Sequence, residues 1–113
     1  MVRIEAIVRP GRLDAVKVAL DDIGVHGMSV IEIKGAGKQK GYTQHYRGSE
    51  YVVNLLPKVM IVVVAKAEEK DAVVNAIAEA ARTGEIGDGK IFVTAVSEAI
   101  RIRTGERDID AIS

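Results

Sequence analysis

The run from Val59 to Ala65 (VMIVVVA) is entirely apolar, and it limits the possible folds of this chain more than any other segment. Its β-branched residues favour a strand, and apolar side chains on both faces of a strand have to be covered on both sides. A half-exposed strand would instead alternate apolar with polar residues. The run therefore predicts a central strand in a covered sheet.

Two helices and three further strands are predicted around this central strand. Apolar residues that recur every three or four positions indicate helices over Arg12–Ile23 and Glu69–Ala81. Short segments rich in β-branched residues indicate strands over Met1–Arg9, Met28–Lys34 and Lys90–Val96. The predicted order is βαββαβ.

A weak internal repeat supports this order. The motif Asp14–Val16 followed by Leu20 in the first helix is echoed by Asp71–Val73 followed by Ile77 in the second. Two βα units, each followed by another strand, are typical of an α+β ferredoxin-like sandwich with both helices on one sheet face. The other face would need a cover, and another copy of the chain could provide it, so we expect a closed homo-oligomer.

Composition excludes several classes of function. With 113 residues, 48% of them apolar, the chain should form a single domain. Its 16 basic and 16 acidic residues leave no net charge to attract nucleic acid. It contains no cysteine, so disulfides and thiolate chemistry are excluded. The first residues lack the apolar run of a signal peptide and no stretch is long enough to span a membrane, so we expect a cytoplasmic protein.

The segment Gly35–Tyr51 is too long for an ordinary hairpin connection between the second and third strands. It carries all three tyrosines of the chain, which could dock on a partner. A solvated flap is the alternative. Composition alone leaves both interpretations open.

Two other segments could bind an anion. The glycines of Thr83–Lys90 would let several backbone N–H groups converge on a phosphate, although a plain helix-to-strand turn would use the same residues. In an extended segment, Arg101 and Arg103 would lie on the same side and could clamp a polyphosphate. A solvated pair of arginines at an edge is the alternative.

Five stretches of the chain together closely resemble the PII nitrogen-regulatory family. They are Lys34–Gly41, Tyr46–Tyr51, Leu56–Lys58, Thr83–Phe92 and Ile100–Glu106. The resemblance covers nearly the whole chain, and it implies a homotrimer of ferredoxin-like subunits with nucleotide sites between neighbours. The resemblance implies a single domain over residues 1–113. This domain would carry a T-loop at about 37–55, a B-loop at about 82–90 and a C-loop at about 101–113.

The resemblance also implies which residues bind ATP or ADP, with Ser29 and Val64 at the adenosine end and two arginines reaching across the subunit interface. The set is Ser29, Gly37, Lys38, Val64, Gly87, Asp88, Gly89, Lys90, Arg101 and Arg103. Three positions depart from many members of the family, which have arginine in place of Lys38, threonine in place of Ser29 and an aromatic in place of Ala36. Lysine keeps the charge of arginine but loses its bidentate fork, so we expect an altered nucleotide preference.

In this family 2-oxoglutarate binds beside the phosphates through a magnesium ion. The resemblance assigns the metal to Gln39, the distal carboxylate to Lys58, and supporting backbone amides to Lys40 and Gly41. Magnesium prefers oxygen ligands, which the amide oxygen of Gln39, a triphosphate and a 2-oxo acid would supply.

The family reports ligand binding through its T-loop. Arg47 matches the position that enters the mouth of an ammonium transporter, and Tyr51 matches a tyrosine that is uridylylated in some bacterial members. The implied partners are such a transporter and enzymes or regulators of nitrogen metabolism. Contact with the inner face of a membrane would be indirect, through the transporter.

Two other classes compete with a non-enzymatic regulator. A small nucleotide hydrolase would need a catalytic base, and the histidines, His26 in a predicted turn and His45 in the long segment, are not placed as one. An RNA-binding ferredoxin-like module would need stacking aromatics and basic charge. One phenylalanine, three tyrosines and zero net charge argue against it.

Overall fold

The computed structural model describes residues 1–37, 42–46, 49–53 and 55–113. Its elements in chain order are β1 (Val2–Val8), α1 (Leu13–Asp22), β2 (Ser29–Gly35), β3 (Tyr42–Tyr46), β4 (Ser49–Val53), β5 (Leu56–Ala65), α2 (Lys70–Ala81), β6 (Lys90–Ala95) and α3 (Ile109–Ile112). Single 3-10 turns at Pro10–Arg12 and Ala67–Glu69 lead into α1 and α2. Among the described residues, no helix is both long and apolar enough to cross a membrane.

The main sheet is antiparallel and has the strand order β2-β5-β1-β6. The predicted central strand is therefore confirmed, because β5 lies between β1 and β2. The βαββαβ order is also confirmed for the elements of the main sheet and the two long helices. This is the ferredoxin-like arrangement that the two βα units predict.

The core lies between the helices and one face of the sheet. On β1 and β5, alternate side chains point into it, and α1 and α2 close it with apolar residues spaced by about one turn. The buried residues are Ile4, Ala6, Val8, Val16, Leu20, Val59, Ile61, Val63, Ala65, Val73, Ile77 and Ala81. Among the described residues no polar side chain is buried, so burial of apolar surface stabilises this layer.

The opposite face of the sheet carries no helix, and we call it the open face. Met60, Val62 and Val64 of β5 point to it and are only half-buried. The register places Ile7 opposite Met60, and Phe92, which is 49% exposed, lies two strands away from Val62 on the same face. The open face is therefore apolar at its centre, as the run Val59–Ala65 predicts.

The structure differs from the sequence prediction in the long segment. The predicted loop contains a separate two-stranded hairpin in which β3 pairs with β4, and the third strand of the main sheet begins at Leu56 instead of Val59. Neither strand of the hairpin belongs to the main sheet, so neither needs the regular apolar pattern that identifies core strands. That is why the pattern did not reveal them.

Candidate functional site

The glycine-rich segment between α2 and β6 lies against the end of β1. Gly84, Gly87 and Gly89 have positive φ angles of 90°, 104° and 104°, a region that side chains disfavour. A Cβ atom on Gly89 would lie 1.7 Å from the carbonyl oxygen of Ile7. Only glycine permits this approach, and the approach fixes the loop at the edge of the sheet.

The carboxylate of Asp88 holds the same loop together from within. It accepts hydrogen bonds from the backbone N–H groups of Thr83 and Gly84, each at 2.8 Å, and a further one from the Thr83 hydroxyl. The guanidinium of Arg9 donates to it at 3.1 Å. The bonds from Thr83, followed by those from Gly84 and Arg9, hold the pKa of Asp88 well below its usual range. Asp88 therefore stays ionised at neutral pH.

Two cations lie over the carbonyl groups of this loop. Arg9 donates a second bond, at 2.8 Å, to the carbonyl oxygen of Ile86, and the ammonium of Lys58 donates to that of Gly87 at 2.7 Å. Burial lowers the pKa of Lys58, the charge of Arg9 lowers it further, and the carboxylate of Asp88 partly offsets both. Among the described residues, these two neighbouring cations share one carboxylate, and the resulting positive charge favours an anionic ligand.

Two cavities lie next to predicted nucleotide residues. One, of about 270 Å³, is lined in part by Asp88, Gly89 and Lys90. The other, of about 440 Å³, is lined in part by His26 and Val64. The predicted phosphate residues and the predicted adenosine contact Val64 therefore border separate cavities within one chain.

Ser29 and Val64, the predicted adenosine contacts, both lie on the open face. Ser29 is exposed and pairs with Val62 across the β2–β5 ladder, while Val64 lies two positions further along β5. Lys90 is opposite Ile7 and so lies on the same face, near the other end of β1. The sheet thus brings both ends of the predicted nucleotide site onto one surface.

The two arginines of the C-loop are not arranged as expected. Residues 102–104 form a turn, closed by bonds from Gly105 N–H to the Arg101 carbonyl at 2.7 Å and from Arg101 N–H to the Glu106 carbonyl at 2.8 Å. The expectation that this segment is extended is therefore wrong. A turn makes these backbone bonds locally, whereas an extended segment would need a partner strand.

The side chains of the two arginines also differ. Arg101 donates to the Glu106 carboxylate and to the Ser113 carbonyl, each at 2.7 Å, and so shapes the end of its own loop. Arg103 is exposed, and it makes no hydrogen bond or ion pair within the part of the chain that the structure describes. Within the described part of one chain, therefore, Arg101 is held by its own loop and Arg103 is not.

The remaining predicted residues can be placed only in part. Gly37 is an exposed bend just after β2. Tyr51 lies on β4, where its backbone pairs with Gln44. Lys38, Gln39, Lys40, Gly41 and Arg47 lie outside the described residues.

Comparison with known proteins settles the family. A family model described as "Nitrogen regulatory protein P-II" matches residues 1–106. The chain belongs to the PII nitrogen-regulatory family. The resemblance predicted from its motifs is therefore confirmed, and membership supports a signalling role in the regulation of nitrogen metabolism.

Relatives of this PII chain match it along its whole length. The nitrogen regulatory protein P-II of Rhizobium meliloti strain 1021 is 58% identical over 112 residues, which is 99% of this chain and 100% of that protein. The nitrogen regulatory protein P-II of Rhodospirillum rubrum has the same identity, 58% over 112 residues, and the same coverage of both chains. A crystal structure of Arabidopsis thaliana PII bound to citrate superposes with a TM-score of 0.80 at 42% identity, covering 98% of this chain and 88% of that one.

One residue of the candidate site was missed by the sequence prediction. Arg9 contacts both Asp88 and Ile86, yet it was considered only as the end of the first strand. No local pattern marks this role, because its partners Asp88 and Ile86 lie 79 and 77 residues further along the chain.

We predict that Gly89→Ala destabilises the PII fold by about 2 kcal/mol or more, because the new Cβ meets the Ile7 carbonyl and the residue keeps a strained φ. Urea unfolding at a fixed protein concentration measures this. Gly11→Ala is the matched control, since its Cβ would meet nothing within 4 Å, and its effect should stay within about 0.5 kcal/mol. Equal stability of the two variants would contradict the steric argument.

Proposed function

We propose that this PII chain is a non-enzymatic sensor that binds ATP or ADP together with 2-oxoglutarate, as a homotrimer, and reports the bound state through its T-loop to proteins of nitrogen assimilation. The observation that carries the proposal is the glycine-built loop Thr83–Lys90, which lies at the edge of the open face under two cations, Arg9 and Lys58. Polyphosphates and small dicarboxylates are the anions that such a site suits.

The nucleotide phosphates would bind at this loop. The backbone donors of its internal hydrogen bonds are Thr83, Gly84 and Glu85, so the described network does not use the amides of residues 87–89. Successive amides in a glycine turn can converge on one anion, and the exposed Lys90 adds a charge. Gly37 and Lys38 would approach from the start of the T-loop, and Ser29 and Val64 would contact the adenosine.

The carboxylate effector would bind beside the phosphates at Lys58. The ammonium of Lys58 donates to the carbonyl of Gly87 and so already lies beside the glycine-rich loop. A charge-assisted bond to a carboxylate is about twice as strong as a neutral one, so a dicarboxylate would attract Lys58. Arabidopsis thaliana PII, bound to citrate, supports a carboxylate site in this fold. Gln39, Lys40 and Gly41 would complete the site.

A magnesium ion would join the two ligands. Among the described residues, no group of three or more His, Asp or Glu side chains could hold a metal ion, so the ion would depend on Gln39 and on oxygens of the ligands themselves. When bound, the ion would neutralise phosphate and carboxylate charge. ADP lacks the γ-phosphate and should support the effector poorly.

A trimer would cover the open face and complete the site. The centre of that face is apolar around Met60, and exposed Arg103 makes no hydrogen bond or ion pair among the described residues. In a trimer, Arg101 and Arg103 would reach the phosphates bound by a neighbour. Arg101 has N–H groups left for this, because a guanidinium carries five donors.

We predict that Met60→Glu prevents assembly, because it places a charge between Ile7 and Ile31 on the face that the copies would bury. Analytical ultracentrifugation should show a trimer for the wild type and a monomer for the variant. Val18→Glu is the control, since Val18 is 59% exposed on α1 and should tolerate the charge. A monomeric wild type, or a trimeric Met60→Glu, would contradict the proposed interface.

The T-loop would couple the ligands to the output. Gln39 at its base would bind the effector, so loop conformation and ligand occupancy would share one free energy. A coupling of about 1 to 3 kcal/mol changes affinity by roughly 5- to 150-fold, and the effect is reciprocal.

Tyr51, on β4 of the hairpin, would be the site of uridylylation where a modifying enzyme is present. Mass spectrometry of the protein from nitrogen-starved cells would test this.

We predict that 2-oxoglutarate tightens ATP binding about 5- to 150-fold in the presence of magnesium, as measured by calorimetry with and without the effector. Lys58→Met removes the charge but keeps an unbranched side chain only one atom shorter, and it should abolish this dependence while ATP alone still binds. Lys17→Met is the control, because Lys17 pairs with Asp21 on α1, which packs on the helix-covered face. ATP affinity that ignores 2-oxoglutarate would refute the proposed sensor.

We predict that Arg47→Ala abolishes binding to the ammonium transporter of the same organism, because the cation that would enter the channel mouth is lost. Co-purification from membranes measures this. ATP affinity serves as the internal control and should not change. Transporter binding that survives the substitution would remove Arg47 from this role.

A further inference from the structure

Asp88 belongs to the set expected to hold nucleotide phosphates, yet its side chain is already fully engaged. One carboxylate oxygen accepts the N–H groups of Thr83 and Gly84, and the other accepts the Thr83 hydroxyl and the guanidinium of Arg9. The side chain is 23% exposed. Four donors on two oxygens leave little acceptor capacity for a further ligand.

The chemistry of a phosphate site agrees with this arrangement. A carboxylate repels phosphate oxygens, and an ionised Asp88 could not donate a hydrogen bond to them. Its bonds instead close a ring from residue 88 back to residue 83, so the side chain defines the path of the glycine-rich turn between them. Arg9 ties this ring to the end of β1, at the same edge of the sheet where Gly89 meets Ile7.

We propose that Asp88 and Thr83 are positioning residues of the anion site: the ring between them presets the backbone amides of residues 87–89 before any phosphate arrives, and the Asp88 side chain does not itself contact the nucleotide. A preset loop loses less conformational entropy on binding than one that orders around the ligand. The assignment rests on the proposed nucleotide function, and it adds the side chain of Thr83 to the residues on which that function depends.

Two simpler explanations make different predictions. If Asp88 were only a nearby negative charge, its neutralisation would strengthen the binding of ADP. If the ring served stability alone, its loss would lower the unfolding temperature and leave the ADP affinity of the folded protein unchanged. A positioning role requires the affinity to fall in a protein that remains folded.

The test uses three variants of the full chain and measures ADP binding by calorimetry. Asp88→Asn keeps the size of the side chain but has only one acceptor oxygen, and it should weaken ADP binding about tenfold or more. Thr83→Val removes the hydroxyl and should weaken it roughly 3- to 10-fold. Thr83→Ser keeps the hydroxyl and should bind like the wild type. Circular dichroism at the assay temperature confirms that each variant is folded.

A second measurement needs no nucleotide. Hydrogen exchange of the Thr83 and Gly84 amides, followed by NMR in the nucleotide-free protein, should be slow in the wild type and in Thr83→Ser and faster in Asp88→Asn, because the carboxylate that accepts both N–H groups is lost.

The outcomes separate this assignment from the proposed function. Stronger or unchanged ADP binding by Asp88→Asn would overturn the positioning role, and so would equal weakening by Thr83→Ser and Thr83→Val. Unchanged amide exchange in Asp88→Asn would overturn the preset loop. A wild-type chain that binds no ADP would instead overturn the nucleotide function, and the anion-site role of Asp88 with it, while the exchange rates would still show whether Asp88 builds the loop.

Discussion

Burial on one face of a single sheet is the constraint from which the rest of this structure follows. Because side chains alternate along a strand, each core residue of β5 has neighbours that point to the opposite face. Ile61 and Val63 pack under the helices, and Met60, Val62 and Val64 are left half-buried on the open face. A strand that is apolar on both faces thus builds the core of one chain and leaves a surface suited to contact with another.

The candidate site depends on the same strands. β1 pairs with both β5 and β6, so its end is held rigidly where Gly89 approaches the carbonyl of Ile7 and where Arg9 turns toward Asp88. The position of the loop is therefore fixed by sheet pairing, while its internal shape is fixed by one carboxylate. Lys58 joins the same cluster from β5. Packing of the core and geometry of the site cannot vary independently here.

Local patterns predicted part of the fold and of the site. The apolar period identified both long helices, and the glycines of Thr83–Lys90 identified the loop. The β3–β4 hairpin was missed because its strands pair only with each other, away from the main sheet. The predicted extended conformation around Arg101 was wrong because the chain turns at residues 102–104, and backbone bonds join Arg101 to residues 105 and 106. Gly105, whose φ is 74°, was the local signal for this turn.

By itself the sequence determined the class of fold, the central place of Val59–Ala65 and the membership of the PII family, since periodicity and contiguous motifs are properties of neighbouring residues. Only the tertiary structure decided that Arg9 and Lys58 converge on the carbonyls of Ile86 and Gly87. It also decided that the Asp88 carboxylate accepts hydrogen bonds from the backbone of its own loop. These contacts join residues that lie far apart in the chain, or turn a side chain back on its own backbone. The contacts of Arg9 and Lys58 exist only once the sheet has brought the ends of β1 and β5 together.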